Sequence, residues 1–234
     1  MHTTLYHNLP RPFFVLAPME DVTDMVFRSL VKKNNFGRPD LLVTEFTNCD
    51  GICSVGQSRV IHRLRFDKEY ESPIIAQIWG KTPQNYYETA KLCCELGFDG
   101  IDINMGCPEK NVIKVGACSA LINNQPLAKE IINSVQKAVA EFELDKNTDK
   151  KQKVAVSVKS RIGFGNIATH DWYGFLIQQN LDAITVHGRT VKDDELPANW
   201  DEIAKVVEIR DNYYNSQKVE LEKKLKQEWL ELIC

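Results

Sequence analysis

Gly100-Ile101-Asp102-Ile103-Asn104-Met105-Gly106-Cys107-Pro108 reads as a buried strand that stops on chemistry. Its first half is a short, near-continuous apolar run, the pattern of a parallel strand covered by helices. Its second half carries an amide, a glycine, a thiol and a proline. Five other runs end in the same manner. Residues 13–17 lead into Pro18-Met19-Glu20-Asp21, residues 41–44 into Glu45, and residues 74–78, which include Gln77, into Trp79-Gly80. Residues 154–158 lead into Lys159-Ser160-Arg161-Ile162-Gly163, and residues 183–186 into His187-Gly188-Arg189-Thr190. In a barrel of parallel strands such ends share one rim, where active sites are built.

The segments between the runs are amphipathic and predict helices. Residues 24–33 place Val26, Leu30 and Val31 on one side, the expected core face. Thr82-Pro83 opens a helix to Leu96, with Gly97 at its end, the usual cap, early proline and terminal glycine. Residues 124–142 carry Leu127, Ile131, Ile132, Val135 and Val139 at helical spacing. Residues 143–153 read as a polar loop. Strand–helix alternation of this kind means right-handed βαβ units, and six are visible. Residues 212–234 read as an amphipathic helix with Leu221, Leu225, Trp229 and Ile233 at four-residue spacing.

Composition narrows the class. With 43% hydrophobic and 26% charged residues over 234, the chain has the make-up of an ordinary folded protein, not of a disordered or fibrous one. Its length comes close to a (β/α) barrel of about 250 residues. The N-terminus lacks a charged segment followed by an apolar one, which argues against a secretory signal. Seven cysteines at 49, 53, 93, 94, 107, 118 and 234 read as reduced thiols of a cytoplasmic protein. No C-x-x-C pair occurs, so no structural zinc is expected. A net charge of −3 disfavours a nucleic-acid grip over the whole surface and leaves room for a local patch. Arg59, His62, Arg63, Arg65 and Lys68 could form one, or a solvated face.

Several rim residues carry two readings. Cys107 is either a small buried apolar side chain or, on a loop facing the pocket, a proton donor with an ordinary pKa of ~8.5. His187 could act as its base only if the fold brought the two together. Lys159 and Arg161, two residues apart on one strand, face the same way. They suit an anionic or electron-rich ligand, or salt bridges to Glu45 or Asp102. Gln77 can both donate and accept, as an amide-bearing heterocycle requires. Trp79, Trp172 and Trp200 read as packing residues.

Five of these blocks, in this order and spacing, resemble the tRNA-dihydrouridine synthases. They are Ala17-Pro18-Met19 followed by Asp21-Val22-Thr23-Asp24, Gln77 with Trp79-Gly80, Asn104 to Pro108, Lys159 to Gly163, and His187 to Thr190. The resemblance covers about residues 13–210. It implies an FMN-dependent TIM barrel, followed in the family by a helical RNA-binding domain. It implies that NADPH, or NADH, reduces the flavin, that the flavin gives hydride to C6 of a tRNA uracil, and that Cys107 protonates C5. It places Pro18, Met19, Glu20, Gln77, Lys159 and His187 against the cofactor, and Asn104 and Arg161 against the uridine. No metal is expected, and a monomer is.

The sequence departs from that family in its last part. No glycine follows Gly188, whereas the family's seventh and eighth strands end in glycine turns that hold the FMN phosphate. The expectation is therefore an incomplete barrel of six βα units over residues 1–210. A charged helical tail over 211–234 follows, and the chain reads as C-terminally truncated, without the RNA-binding domain. Weakened FMN retention follows from that reading. An inactive remnant, an RNA-binding pseudoenzyme and a flavin barrel reducing a free pyrimidine stand as alternatives.

Overall fold

The main sheet is parallel throughout; six of its strands lie side by side in chain order, and the two-residue strand Thr47–Asn48 pairs with Ile78–Trp79. The computed structural model describes residues 3–33, 38–145, 152–193 and 195–233, with the side chains of 3, 145, 152 and 221–233 excepted. The strands are β1 (Val15–Leu16), β2 (Leu41–Val43), β3 (Ile74–Trp79), β4 (Gly100–Met105), β5 (Ala155–Gly163) and β6 (Ala183–Thr190). The helices beside them are α1 (Met25–Lys33), α2 (Pro83–Leu96), α3 (Gln125–Asp145), α4 (Thr169–Ile177) and α5 (Trp200–Ile233). Among the described residues no strand follows β6. The sheet is thus an incomplete (β/α) barrel, as the sequence predicts.

Both faces of β2 to β5 are buried, but by different partners. Leu42, Ile74, Ala76, Ile78, Ile101, Ile103, Met105, Val156 and Val158 share one apolar cluster with α2, α3 and α4. The alternate residues point into the barrel. At the bottom these are Leu41, Val43, Ile75 and Ala155, which close around Leu5. Above them come Gln77, Asp102 and Ser157, joined by register and side-chain bonds. Asn104 pairs with Lys159 in the next layer, and Arg161 with His187 above it. An apolar floor under a polar rim is the arrangement this strand period dictates.

The first residues of the chain make part of that floor. Thr3–Thr4 pair in parallel with Gln152–Lys153, and the short helix Leu5–Asn8 drives Leu5 into the barrel, where it is 2% exposed. The expected loop over 143–153 is shorter than read: α3 runs on to Asp145 and Gln152–Lys153 form a strand. Residues 146–151 lie outside the described residues.

The helix α2 ends on Gly97 at φ +90, a conformation that glycine adopts without cost. Helix α1 corrects the expected core face. Val26 and Leu30 are exposed, while Arg28 and Lys32 are buried. The physical reason is a polar seam with the segment before β3. Arg28 meets Glu71 with Nε 3.1 Å from Oε1, and both side chains are fully buried. The same guanidinium donates to the carbonyls of Thr23 (2.7 Å) and Arg65 (2.8 Å). Lys32 donates to the Ser72 carbonyl at 3.1 Å.

Helix α5 is continuous through position 210, where the sequence predicts a boundary. Asn199 caps it, its Oδ1 accepting from Glu202 N–H at 3.1 Å. The predicted apolar stripe Leu221, Leu225, Trp229 and Ile233 lies outside the described side chains, and Cys234 outside the described residues. Trp172 packs as expected, 1% exposed, but Trp200 stands 75% exposed because it opens the helix instead of facing the sheet.

Removing one partner from a buried ion pair leaves an uncompensated charge, a cost of about 3–5 kcal/mol. Arg28→Met should therefore lower unfolding stability by about that amount in a urea titration. The Arg28→Met/Glu71→Leu double variant should recover much of the loss. Equal losses in the single and double variants would show that the pair is not what holds this seam.

Candidate active site at the strand ends

The inward polar layer forms one hydrogen-bonded chain. Ser157 Oγ donates to Asp102 Oδ1 at 2.6 Å, and Gln77 Nε2 donates to Asp102 Oδ2 at 2.7 Å. Asn104 Nδ2 donates to Gln77 Oε1 at 3.1 Å. Tyr6, from the N-terminal helix, shares a hydrogen bond with Ser157. Burial pushes the Asp102 carboxyl above its ordinary range, against the bonds from Ser157 and Gln77 and the charge of Lys159. Burial and Asp102 together raise the Tyr6 phenol.

Tyr6, Gln77 and Asp102 of this layer line a cavity of about 240 Å³, together with Leu41, Val43 and Ile75 of the floor and with Pro18, Lys159 and Thr185. Among the described residues Lys159 is its one cation. Burial, with Arg161 close by, pulls its ammonium below the ordinary lysine range, while Asp102 and Cys107 oppose that shift. Among the described residues no hydrogen bond or ion pair reaches its Nζ. Neither Glu45 nor Asp102 forms the salt bridge considered for it. Arg161 is spent on the backbone instead: Nε donates to the Gly106 carbonyl at 2.7 Å and Nη1 to the Thr190 carbonyl at 3.0 Å.

The loop after β4 is pinned from three sides. Asn104 Oδ1 accepts from Gly106 N–H at 2.9 Å and from Cys107 N–H at 3.0 Å. Arg161 holds Gly106, and Ser119 Oγ donates to the Cys107 carbonyl at 2.7 Å. The Cys107 thiol is half-buried beside Trp79 and Cys118. A hydrogen bond from Cys118 and one from the Glu109 N–H lower its pKa to about 7, against the opposing effect of burial. That corrects the ordinary thiol value the sequence suggests. The side chain that tunes Cys107 is thus another thiol; His187 is recorded beside Arg189, with Nη1 3.3 Å from Nε2.

The loop after β1 supplies the opposite lip. Its backbone turns tightly, with the Val22 and Thr23 N–H groups donating to the Met19 carbonyl and Asp21 at φ +58. Asp21 N–H donates to Glu45 Oε1 at 2.8 Å. Pro18 lines the cavity. The Glu20 carboxylate pairs with Arg63 at 2.6 Å, which draws Arg63 out of the expected basic patch.

The fold therefore brings Pro18, Gln77, Lys159, Asn104, Arg161 and Cys107 to one end of the barrel, with His187 next to Arg161 in register. Met19 and Glu20 sit on the lip. Four contributors escaped the sequence reading: Asp102 as the centre of the polar layer, Ser157, Tyr6 and Cys118. The first two were legible in principle, since they fall on the inward period set by Asn104 and Lys159. Nothing in the spacing pointed to Tyr6 or Cys118.

Comparison with known proteins agrees with this geometry. Residues 15–210 match the family model described as "Dihydrouridine synthase (Dus)". The chain is 39% identical over 214 residues to "Probable tRNA-dihydrouridine synthase 2" of Bacillus subtilis (strain 168), covering 90% of this chain and 61% of that protein. The same identity over 214 residues relates it to "Probable tRNA-dihydrouridine synthase" of Staphylococcus aureus (strain COL), covering 90% and 60%. It spans about three fifths of the length of these curated relatives. With its match over residues 15–210 and its strand-end rim in place, the chain belongs to the dihydrouridine synthase family.

Proposed function

We propose that this chain carries the flavin-binding barrel of a tRNA-dihydrouridine synthase, which reduces a uridine of tRNA to 5,6-dihydrouridine. The observation that carries the reading is the Cys107 thiol, pinned at the rim by Asn104 and Arg161. Lys159 on the next strand faces the same end of the barrel. Protonation of a carbon needs an acid whose pKa lies near the working pH. A thiol near 7 meets that need at neutral pH.

The cavity residues fit the ring end of FMN. An apolar floor accepts a flat ring, and a half-buried cation that no ion pair among the described residues reaches suits a ring that becomes anionic on reduction. Pro18 and Lys159 would hold it directly, with backbone contacts from Met19 and Glu20 and with His187 at the edge. Gln77 would meet it as a side chain already fixed by Asp102 and Asn104. When bound, FMN supplies the hydride, after reduction by NADPH or NADH. Asn104 and Arg161 act in this scheme by holding the Cys107 loop toward the uridine. Reaching the uracil requires it to leave its stack. The work belongs to a cytoplasmic, metal-free monomer. Residues 1–210 form its barrel portion and 211–234 a tail.

Incubation of the full chain with FMN, NADPH and unmodified tRNA should yield dihydrouridine by mass spectrometry. Cys107→Ala should lower the rate about 100- to 10,000-fold with flavin absorbance retained. Reduction of free pyrimidine without tRNA product, or no flavin uptake at all, would overturn the reading. Lys159→Met should weaken FMN retention about 10-fold or more. Unchanged retention would remove Lys159 from the cofactor site.

The thiolate alkylates and the thiol does not. Iodoacetamide labelling of Cys107 should therefore be slow below pH 7 and rise through a midpoint of about 7. In Cys118→Ala, which removes the largest cause of the lowered value, the midpoint should move upward. A midpoint that stays put would show that Cys118 does not tune the acid.

A further inference from the structure

Cys118 is buried, handles no atom of the substrate in the proposed reaction, and is in hydrogen-bond contact with Cys107. Its backbone stands at φ +49, a left-handed conformation that is costly for a residue with a side chain. The loop holds it there. Ser119 Oγ ties to the Cys107 carbonyl, and Cys107 packs against the buried cluster that Cys118 forms with Val112 and Ala117. Strain kept at one residue points to function there, and what this strain aims is a sulfur at a sulfur.

We propose that Cys107 and Cys118 are a reversible oxidation site, closed to a disulfide by oxidants of the peroxide class and reopened by dithiols. Cys107 is the entry point, because it alone of the two is open to solvent. Its thiolate attacks one peroxide oxygen and the O–O bond breaks. With one proton taken up, this gives Cys107 sulfenic acid and one water. The Cys118 sulfur then attacks the sulfenic sulfur, the S–O bond breaks, and a second water leaves with the Cys118 proton. Two thiols are oxidised by two electrons and one peroxide is reduced to two waters.

The other close thiols lack one requirement or another. Cys93 and Cys94 are buried and out of an oxidant's reach. Cys53 is exposed, but burial raises its thiol pKa, so it offers an oxidant less thiolate than Cys107 does. The site itself stands on this geometry. Its consequence, loss of the proton donor and arrest of uridine reduction, rests on the proposed role of Cys107.

The test treats the reduced, desalted full chain with hydrogen peroxide near neutral pH, with dimedone present to trap sulfenic acid. Trypsin cuts after Lys110 and Lys114. A bridge therefore links peptide 92–110 to peptide 115–129, and fragmentation distinguishes Cys107 from Cys93 and Cys94. The expected result is loss of two hydrogens, the 107–118 link, and reversal by dithiothreitol. In Cys118→Ala and Cys118→Ser, dimedone should instead label Cys107 and sulfinic acid should accumulate. Sulfinic acid on Cys107 without a link in the unaltered chain, a link through another pair, or no oxidation of Cys107 overturns the proposal. A 107–118 link that leaves dihydrouridine formation intact keeps the site and sinks the acid role. Activity that needs Cys107 in a chain that never forms the link does the reverse.

Discussion

The carboxylate of Asp102 sets the inner geometry of this barrel. It is buried among strands, where an ionised group is tolerated only when its oxygens are filled. Ser157 and Gln77 fill them at 2.6 and 2.7 Å. That commitment fixes the Gln77 amide, which fixes Asn104, which in turn holds the two backbone N–H groups leading into Cys107. A charge at the centre of the sheet is thereby converted into the position of a thiol at its edge. Lys159 lies near enough to feel Asp102, and among the described residues no hydrogen bond or ion pair reaches its Nζ.

The rim shows the same economy in its arginines. Arg161 and Arg28 both solve backbone problems. Each caps carbonyls that the local turns leave open, Gly106 and Thr190 in one case, Thr23 and Arg65 in the other. A planar guanidinium with five donors does this where lysine cannot. The loop after β1 and the loop after β4 are therefore each braced through their carbonyls by a buried guanidinium.

How far the sequence could be read follows from the range of each interaction. Strands β1 to β6 and helices α2 and α3 were legible because apolar period and caps are local. The rim was legible because every run ended on polar chemistry, and a parallel barrel collects such ends. Helix α1 was misread for the opposite reason. Its Val26 and Leu30 satisfy a helical apolar pattern, but Arg28 is drawn inward by Glu71, 43 positions away. Gln77 and Asn104 looked like free ligand groups because their mutual bond is also non-local, spanning 27 positions. Cys118 was invisible: only the three-dimensional return of the 107–119 loop places it at Cys107.

The floor of the barrel has a consequence for how the chain assembles. Leu5 is packed by Ala155 as well as by β2 and β3, and Thr3–Thr4 wait for Gln152–Lys153. On a ribosome making about 5–20 residues per second, the first turn of chain exists for roughly 7–30 seconds before that partner emerges. Helix α2 can dock on β3 and β4 during that interval, because its contacts are close in sequence. The interior cannot close. Sealing the bottom is a late, long-range step, the kind that slows folding through loop-closure entropy. The nascent chain thus carries an open apolar mouth until Gln152–Lys153 emerge, and the segment around Leu5 is the stopper.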